Sequence, residues 1–140
     1  MSKVAVVFWS GTGNTEAMAN AVAAGAQDKG ADVTVMGPSD FGAAAVAEYD
    51  CIAFGCPAMG AEQLEEAEYQ PMWDEVKGEL SGKKIALFGS YGWGDGEWIR
   101  LWEDEAKEAG AVLAADSLMV NGAPDDEGEA DCRALGAALA

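Results

Sequence analysis

Five short and mostly apolar runs recur along the chain and predict five β-strands. Residues 3–9 are almost continuously apolar, which is typical of a strand that is covered on both faces of a sheet. The polar pair Asp116-Ser117 interrupts the last run, which continues on either side of it. The predicted strands are 3–9, 32–36, 51–55, 84–89 and about 111–120.

Amphipathic segments separate these runs and predict helices over 15–29, about 69–80, 97–109 and 127–139. Pro71 falls in the first turn of the second of them, a position that proline favours. Segment 43–48 gives only a weak signal for a short helix. The expected buried faces are Met18, Val22 and Gly25 in the first helix, Trp98, Leu101 and Trp102 in the third, and Cys132, Leu135, Gly136 and Leu139 in the last.

Strands that alternate with helices predict right-handed crossovers and a parallel sheet covered by helices on both faces. We therefore expect one α/β domain over residues 1–140, built as a three-layer sandwich. In such sheets ligands bind beyond the carboxyl ends of the strands, near the point where the strand order reverses. The loops after the first, third and fourth strands are therefore the candidate functional segments.

The composition narrows the classes of function. Among 140 residues, 25 Asp and Glu face 8 Lys and Arg, which gives a net charge of −17, and there is no His. This charge disfavours nucleic acids and anionic membranes, and the chain offers no imidazole as a base or metal ligand. Without an apolar run of membrane-spanning length or a signal-peptide pattern, we expect a cytoplasmic protein. Cys51, Cys56 and Cys132 are interpreted as buried, reduced thiols.

The loop after the first strand, Ser10-Gly11-Thr12-Gly13-Asn14-Thr15, opens directly into a helix. Its backbone N–H groups, its hydroxyls and the helix dipole favour an anion. A P-loop would need a lysine that this loop lacks. A dinucleotide fingerprint would need a small residue at Glu16 and an acid near 36–38, and both are missing. A cradle of neutral donors for one phosphate remains.

The loops after the third and fourth strands carry exposed apolar candidates. Met59 precedes Gly60 in the first loop, and Trp93 stands between Gly92 and Gly94 in the second. An aromatic residue flanked by glycines in a loop indicates a flat ligand held by stacking. One phosphate loop and two ring loops at the same sheet edge favour a mononucleotide with a large flat ring, and flavin mononucleotide (FMN) fits best.

Three motifs in the same order carry a resemblance over nearly the whole chain. They are residues 10–16 (SGTGNTE), residues 55–60 (GCPAMG) and residues 87–94 (LFGSYGWG). The chain resembles the flavodoxins, specifically the short-chain type of clostridia and Megasphaera. The resemblance implies a flavodoxin-like five-stranded parallel sheet in the order 2-1-3-4-5, the arrangement for which flavodoxin is a standard example.

The resemblance also implies roles for single residues. The first loop would bind the FMN phosphate, while Met59 and Trp93 would cover the two faces of the ring. Glu62 would accept a hydrogen bond from flavin N3–H, and Ser90 and Tyr91 would line the ribityl side and the pyrimidine rim. The expected contacts are Ser10, Gly11, Thr12, Gly13, Asn14, Thr15, Pro57, Ala58, Met59, Gly60, Ala61, Glu62, Ser90, Tyr91, Gly92, Trp93, Gly94 and Asp95.

The implied activity is that of a low-potential, one-electron carrier in place of ferredoxin. In relatives, the peptide after the glycine that matches Gly60 turns over on reduction, and its carbonyl accepts a hydrogen bond from flavin N5. Ala61 follows here, and we expect the switch to survive. Because the acidic surface opposes a second negative charge, the protein is expected to shuttle between semiquinone and hydroquinone.

The expected partners are redox enzymes with basic docking surfaces, such as ferredoxin-dependent oxidoreductases and hydrogenase. Glu62, Glu65, Glu66 and Glu68 follow the Met59 loop and could orient such partners. A merely solvated acidic face is the alternative, and the sequence does not decide between them. We expect a monomer.

Other functions on similar folds are weighed on the same loops. A small NAD(P)H-dependent quinone or azo reductase is the main alternative, although no insertion is visible that could build its substrate pocket. An activator of ribonucleotide reductase has flavin loops that differ from Tyr91-Gly92-Trp93. A two-component receiver would need acids at Trp9-Ser10 and Gly55-Cys56, and a low-molecular-weight phosphatase would need an arginine at Glu62.

Overall fold

The computed structural model describes residues 2–11, 13–59, 64–92, 94 and 96–140. Within them, one parallel sheet has the order β2-β1-β3-β4-β5, with β6 also paired to β4. This is the predicted 2-1-3-4-5 arrangement. The strands are β1 (Lys3–Phe8), β2 (Asp32–Met36), β3 (Cys51–Gly55), β4 (Lys84–Tyr91), β5 (Val112–Leu113) and β6 (Leu118–Asn121).

Helices cover both faces of the sheet and complete the three-layer sandwich. One layer of core side chains, including Val4, Val6 and Phe88, packs under the first and last helices, whereas Val7 and Phe54 face the helices on the other side. The alternation of neighbouring strand residues between the two layers follows from the period of two in a strand. The helices are α1 (Asn14–Asp28), α2 (Ala43–Val46), α3 (Tyr69–Val76), α4 (Glu97–Glu108) and α5 (Asp126–Leu139).

The bounds of several elements differ from the prediction. Strand β4 continues to Tyr91 instead of ending at residue 89, so Ser90 and Tyr91 belong to the strand and not to the loop after it. The helix expected over 69–80 ends at Val76 and continues as a 3-10 turn at Lys77–Glu79. At the fifth position of the sheet, two strands replace the expected one: β5 pairs with Lys84 and Ile85, and β6 with residues 88–91. Segment 114–117 therefore lies opposite only residues 86–87, so four residues face two and the chain bulges there. Ser117 in this bulge donates a hydrogen bond to Glu103 of α4.

The buried stripe of α4 also differs from the prediction. Trp98 and Trp102 are buried as expected, but Leu101 is 51% exposed. Ile99 and Ala106 complete the stripe instead. At 100° per residue, these four side chains centre on a line roughly 110° around the helix from Leu101. Spacing by three from Trp98 therefore placed Leu101 on the wrong flank.

The buried faces of α1 and α5 are confirmed, and they meet through glycine. A Cβ atom on Gly25 would collide with the carbonyl oxygen of Arg133, and one on Gly136 would collide with that of Val22. Glycine at both positions thus lets the two helix backbones touch.

Each of the three cysteines is buried and free, as predicted. Among the described helices, none combines the length and the apolar character that a membrane crossing requires.

Candidate functional site

The carboxyl ends of β1, β3 and β4 surround a cavity of about 270 Å³. All three loops selected from the sequence contribute residues to its wall. Gly13 and Gly94 are described but do not line the cavity, and the predicted contacts Thr12, Gly60, Ala61, Glu62, Trp93 and Asp95 lie outside the described residues. The lining residues are Trp9, Ser10, Gly11, Asn14, Thr15, Pro57, Ala58, Met59, Ser90, Tyr91, Gly92 and Gly122.

The turn before α1 has the features of an anion site. Gly13 caps the helix with φ of 95°, in the left-handed region, and its N–H donates to Ser10 Oγ across 3.0 Å. Thr15 is 1% exposed and lines the cavity, yet its Oγ1 has no hydrogen-bond partner among the described residues. A buried hydroxyl without a partner is costly, so this atom matches a ligand that accepts a hydrogen bond.

The other two loops are joined to each other beside the cavity. The N–H of Ala58 donates to the carbonyl of Ser90 across 3.1 Å, so the Met59 loop lies against the end of β4. Ser90 Oγ donates to the carbonyl of Gly122 at 2.6 Å. The N–H of Gly122 in turn donates to the carbonyl of Tyr91 at 2.8 Å. The Ser90 hydroxyl therefore fastens the cavity wall to the segment after β6, while its oxygen still has lone pairs free to accept.

Trp9 and Gly122 line the cavity although the sequence analysis did not select them. Trp9 was read as the end of an apolar strand, and its position directly before Ser10 was the available signal. Its indole Nε1 donates to Glu68 Oε2 across 3.1 Å. Gly122 follows the last strand, whose loop was not considered, and its φ of 70° was not visible from the pattern of residues.

Glu65 is not a surface acid, in contrast to its predicted place in an acidic docking face. It is 7% exposed, and its carboxylate accepts hydrogen bonds from the N–H groups of Ala67, Glu68 and Tyr69 at 2.7–2.9 Å. Burial acts to raise the pKa of this carboxyl, but the three backbone donors prevail and lower it. Glu65 thus holds the first turn of α3, whereas Glu66 and Glu68 are exposed.

The described lining of the cavity contains no charged side chain. Its walls offer a thioether, a phenol, an indole and backbone groups, and its floor offers the N-terminus of α1. A flat, partly apolar ligand with one anionic end matches this chemistry, because stacking and backbone donors replace cations. The residues present therefore fit a mononucleotide such as FMN.

Comparisons with known proteins agree with the geometry. A family model described as Flavodoxin matches residues 6–136. The chain is 45% identical over 135 residues to the flavodoxin of Clostridium beijerinckii, which covers 96% of this chain and 97% of the relative. It is also 45% identical to the Megasphaera elsdenii flavodoxin, over 98% of both chains. The solution structure of two-electron reduced M. elsdenii flavodoxin superposes with a TM-score of 0.88, covers 97% of each chain and is 44% identical.

The family match spans most of the sequence, and the relatives match nearly from end to end. The sheet order is the one that the resemblance implied. Flavodoxins bind FMN and transfer electrons without transforming a substrate. The chain therefore belongs to the flavodoxin family and is an FMN-binding electron carrier, not an enzyme.

Proposed function

We propose that this cavity is the FMN site, with the phosphate over the turn before α1 and the ring between the loops after β3 and β4. The observation that carries this placement is Thr15 Oγ1, a buried donor that lines the cavity and has no partner among the described residues. A phosphate oxygen would satisfy it, since hydrogen bonds to charged acceptors are among the stronger ones in proteins.

The phosphate contacts proposed are Ser10, Gly11, Thr12, Gly13, Asn14 and Thr15. Ser10 supports the turn by accepting from Gly13 N–H, and α1 adds the positive end of its dipole. No described cation lines the site. These residues would therefore bind the phosphate through hydrogen bonds, without neutralising its negative charge.

The ring contacts proposed divide between the two remaining loops. Met59, which lines the cavity, would cover one face of the ring and Trp93 the other. Glu62 would accept from N3–H, and the carbonyl of Gly60 would accept from N5–H once the flavin is reduced. The remaining proposed contacts are Pro57, Ala58, Ala61, Ser90, Tyr91, Gly92, Gly94 and Asp95.

FMN, when bound, supplies the capacity to take up and release one electron at a time. The chain sets the potential at which this happens. The described part of the cavity wall supplies no cation, and the net charge of −17 disfavours additional negative charge on the ring, which lowers the second potential. We therefore propose a low-potential, one-electron carrier that acts in place of ferredoxin.

The proposed setting is a cytoplasmic monomer with a single domain over residues 1–140. Its partners would be ferredoxin-dependent oxidoreductases and hydrogenase, through basic docking surfaces. The charge of −17 supports this choice because it steers basic surfaces toward the protein. Of the four acids expected to orient partners, Glu66 and Glu68 are described and exposed, and Glu65 is removed from this set.

Titration of the apo-protein with FMN tests the placement. We expect a yellow complex, and at least about tenfold weaker binding in Met59→Ala and in Trp93→Ala, since each change removes one stacking surface. Met119→Ala is the matched control, because Met119 is 41% exposed and does not line the cavity. Unchanged affinity in both ring variants would refute the placement, and rapid NADPH oxidation by the loaded protein alone would identify a reductase instead.

A further inference from the structure

We propose that Cys56 and Glu65 form a positioning pair that fixes the base of the loop between β3 and α3. Through this base the pair holds Pro57, Ala58 and Met59 in place as one wall of the cavity. The inference rests on the proposed function only in assigning that wall to the FMN site.

Cys56 lies where the loop leaves β3, and every polar group of this residue has a partner. Its Sγ accepts a hydrogen bond from the N–H of Glu65 at 3.4 Å and lies 3.5 Å from the carbonyl of Pro57, to which the thiol donates. The backbone carbonyl of Cys56 accepts a hydrogen bond from Trp98 Nε1 at 3.1 Å, and its N–H donates to the carbonyl of Phe88 at 3.1 Å. The side chain is completely buried. The thiol thus connects the first residue of the loop to a residue nine positions later.

Glu65 lies where the loop enters α3, and it is fixed from both sides. Its N–H is held by Cys56, its carbonyl accepts from Gln70 N–H at 2.8 Å, and its carboxylate accepts from three N–H groups of residues 67–69. Such a buried carboxylate replaces the water that the exposed start of a helix would otherwise bind. Hydrogen bonds therefore hold the end of the loop as well as its start.

These contacts act on the cavity because the wall residues lie between the two fixed ends. Pro57 receives the thiol hydrogen bond, and Ala58 next to it is held by the carbonyl of Ser90. Loss of the thiol would free one end of this short segment and leave a buried N–H without its acceptor. Burial raises the pKa of the Cys56 thiol to about 12, so it remains a protonated donor at physiological pH.

The test compares matched variants at both positions. Cys56→Ala removes the acceptor, Cys56→Ser restores one, and Cys132→Ala removes another fully buried thiol that does not line the cavity. Glu65→Gln weakens the carboxylate contacts, and Glu66→Gln makes the same change of charge on the exposed neighbour. Two quantities are measured for each: hydrogen exchange of the Glu65 amide in the apo-protein, and the dissociation constant for FMN.

We expect Cys56→Ala to speed exchange of the Glu65 amide at least about tenfold and to weaken FMN binding about fivefold, with Cys56→Ser close to the wild type. Glu65→Gln should weaken FMN binding by a similar factor. The Cys56→Ala/Glu65→Gln double variant should weaken it by less than the product of the two single factors, because both changes act on the same loop base. Cys132→Ala and Glu66→Gln should stay within about twofold. Should Cys56→Ala fold poorly, Cys56→Ser and Glu65→Gln still give the comparison.

Equal effects of Cys56→Ala and Cys132→Ala on FMN binding would overturn the inference, since the thiol would then contribute only to packing. Independent effects of Cys56→Ala and Glu65→Gln would overturn it as well. Failure of the wild-type protein to bind FMN would refute the proposed function instead, and exchange of the Glu65 amide would still decide whether the pair fixes the loop.

Discussion

The indole Nε1 of Trp9 donates a hydrogen bond to Glu68 Oε2 across 3.1 Å, between residues 59 positions apart in the chain. Trp9 lines the cavity directly before the turn proposed to bind the phosphate, and Glu68 immediately precedes α3. The bond therefore ties the proposed phosphate side of the site to the segment that ends the Met59 loop.

Glu68→Ala should weaken FMN binding about threefold, because Trp9 loses the hydrogen bond that holds its indole in the cavity wall. Glu68→Gln keeps an acceptor and removes the charge, so it should bind FMN like the wild type. Glu66→Ala controls for loss of a neighbouring exposed carboxylate. Equal weakening in Glu68→Gln and Glu68→Ala in FMN titrations would assign the effect to charge and contradict the hydrogen-bond explanation.

Thr15→Val should weaken binding of FMN by at least about tenfold and leave riboflavin binding unchanged, because riboflavin has no phosphate to accept from the hydroxyl. The stability of the apo-protein should not fall, since Thr15 Oγ1 has no described partner to lose. Thr34→Val changes an exposed threonine on β2 and serves as the control. Equal loss of affinity for both flavins would place the phosphate elsewhere.

The rate of FMN association should rise with salt concentration. The described lining contributes no cation, and the protein carries a charge of −17, so the FMN phosphate approaches against a repulsive field. Raising the ionic strength from about 0.01 M to about 0.1 M shortens the screening length from about 30 Å to about 10 Å and weakens that repulsion. Stopped-flow measurements check this, with uncharged riboflavin as the control. A rate that falls with salt would indicate a cationic phosphate site.

The sheet and the two helix layers could be predicted because period-two and helical patterns alternate clearly along the chain. The three loops followed from the rule that strand ends of a parallel sheet meet at one edge. Other features depend on the path of the chain in space. No pattern distinguished Glu65 from its acidic neighbours, because its burial arises from where the loop enters α3. Leu101 was predicted to be buried because spacing from Trp98 does not show on which side the buried stripe of α4 widens. Trp9 was not selected as a cavity residue because it ends an apolar run that reads as a strand.

Leu101→Ala should change the free energy of unfolding by less than about 0.5 kcal/mol, because the side chain is 51% exposed and lies outside the core. Leu135→Ala in α5 should cost about 2–5 kcal/mol, since Leu135 is only 4% exposed and its loss leaves a cavity. Urea unfolding of both variants checks the pair. Comparable losses would restore Leu101 to the buried face that its spacing first indicated.

The stabilising contribution of the Glu65 carboxylate should depend on pH. Backbone donors hold the pKa of this carboxyl below its ordinary value of 4.5 in the folded protein, against the opposing effect of burial. A lowered pKa in the folded state means that the contribution is complete above the unfolded value and is lost as the pH falls through the folded one. The difference in unfolding free energy between wild type and Glu65→Gln should thus be largest at neutral pH and shrink below pH 4.5.

Urea unfolding over this range measures that difference. Glu66→Gln is the control, because it makes the same change of charge on an exposed neighbour. A gap between wild type and Glu65→Gln that persisted unchanged at about pH 3 would mean that the carboxylate form is not what caps α3.

The backbone contact of α1 with α5 reaches beyond stability. Gly25 and Gly136 leave no space for even a methyl group between the helices. Helix α1 runs without interruption from Asn14, which lines the cavity, past Gly25, roughly 16 Å further along its axis. A bulkier residue at either glycine should displace α1 as a rigid unit and shift the amides that are proposed to receive the phosphate. We therefore expect the retention of FMN to be sensitive to substitutions at two glycines that do not line the cavity.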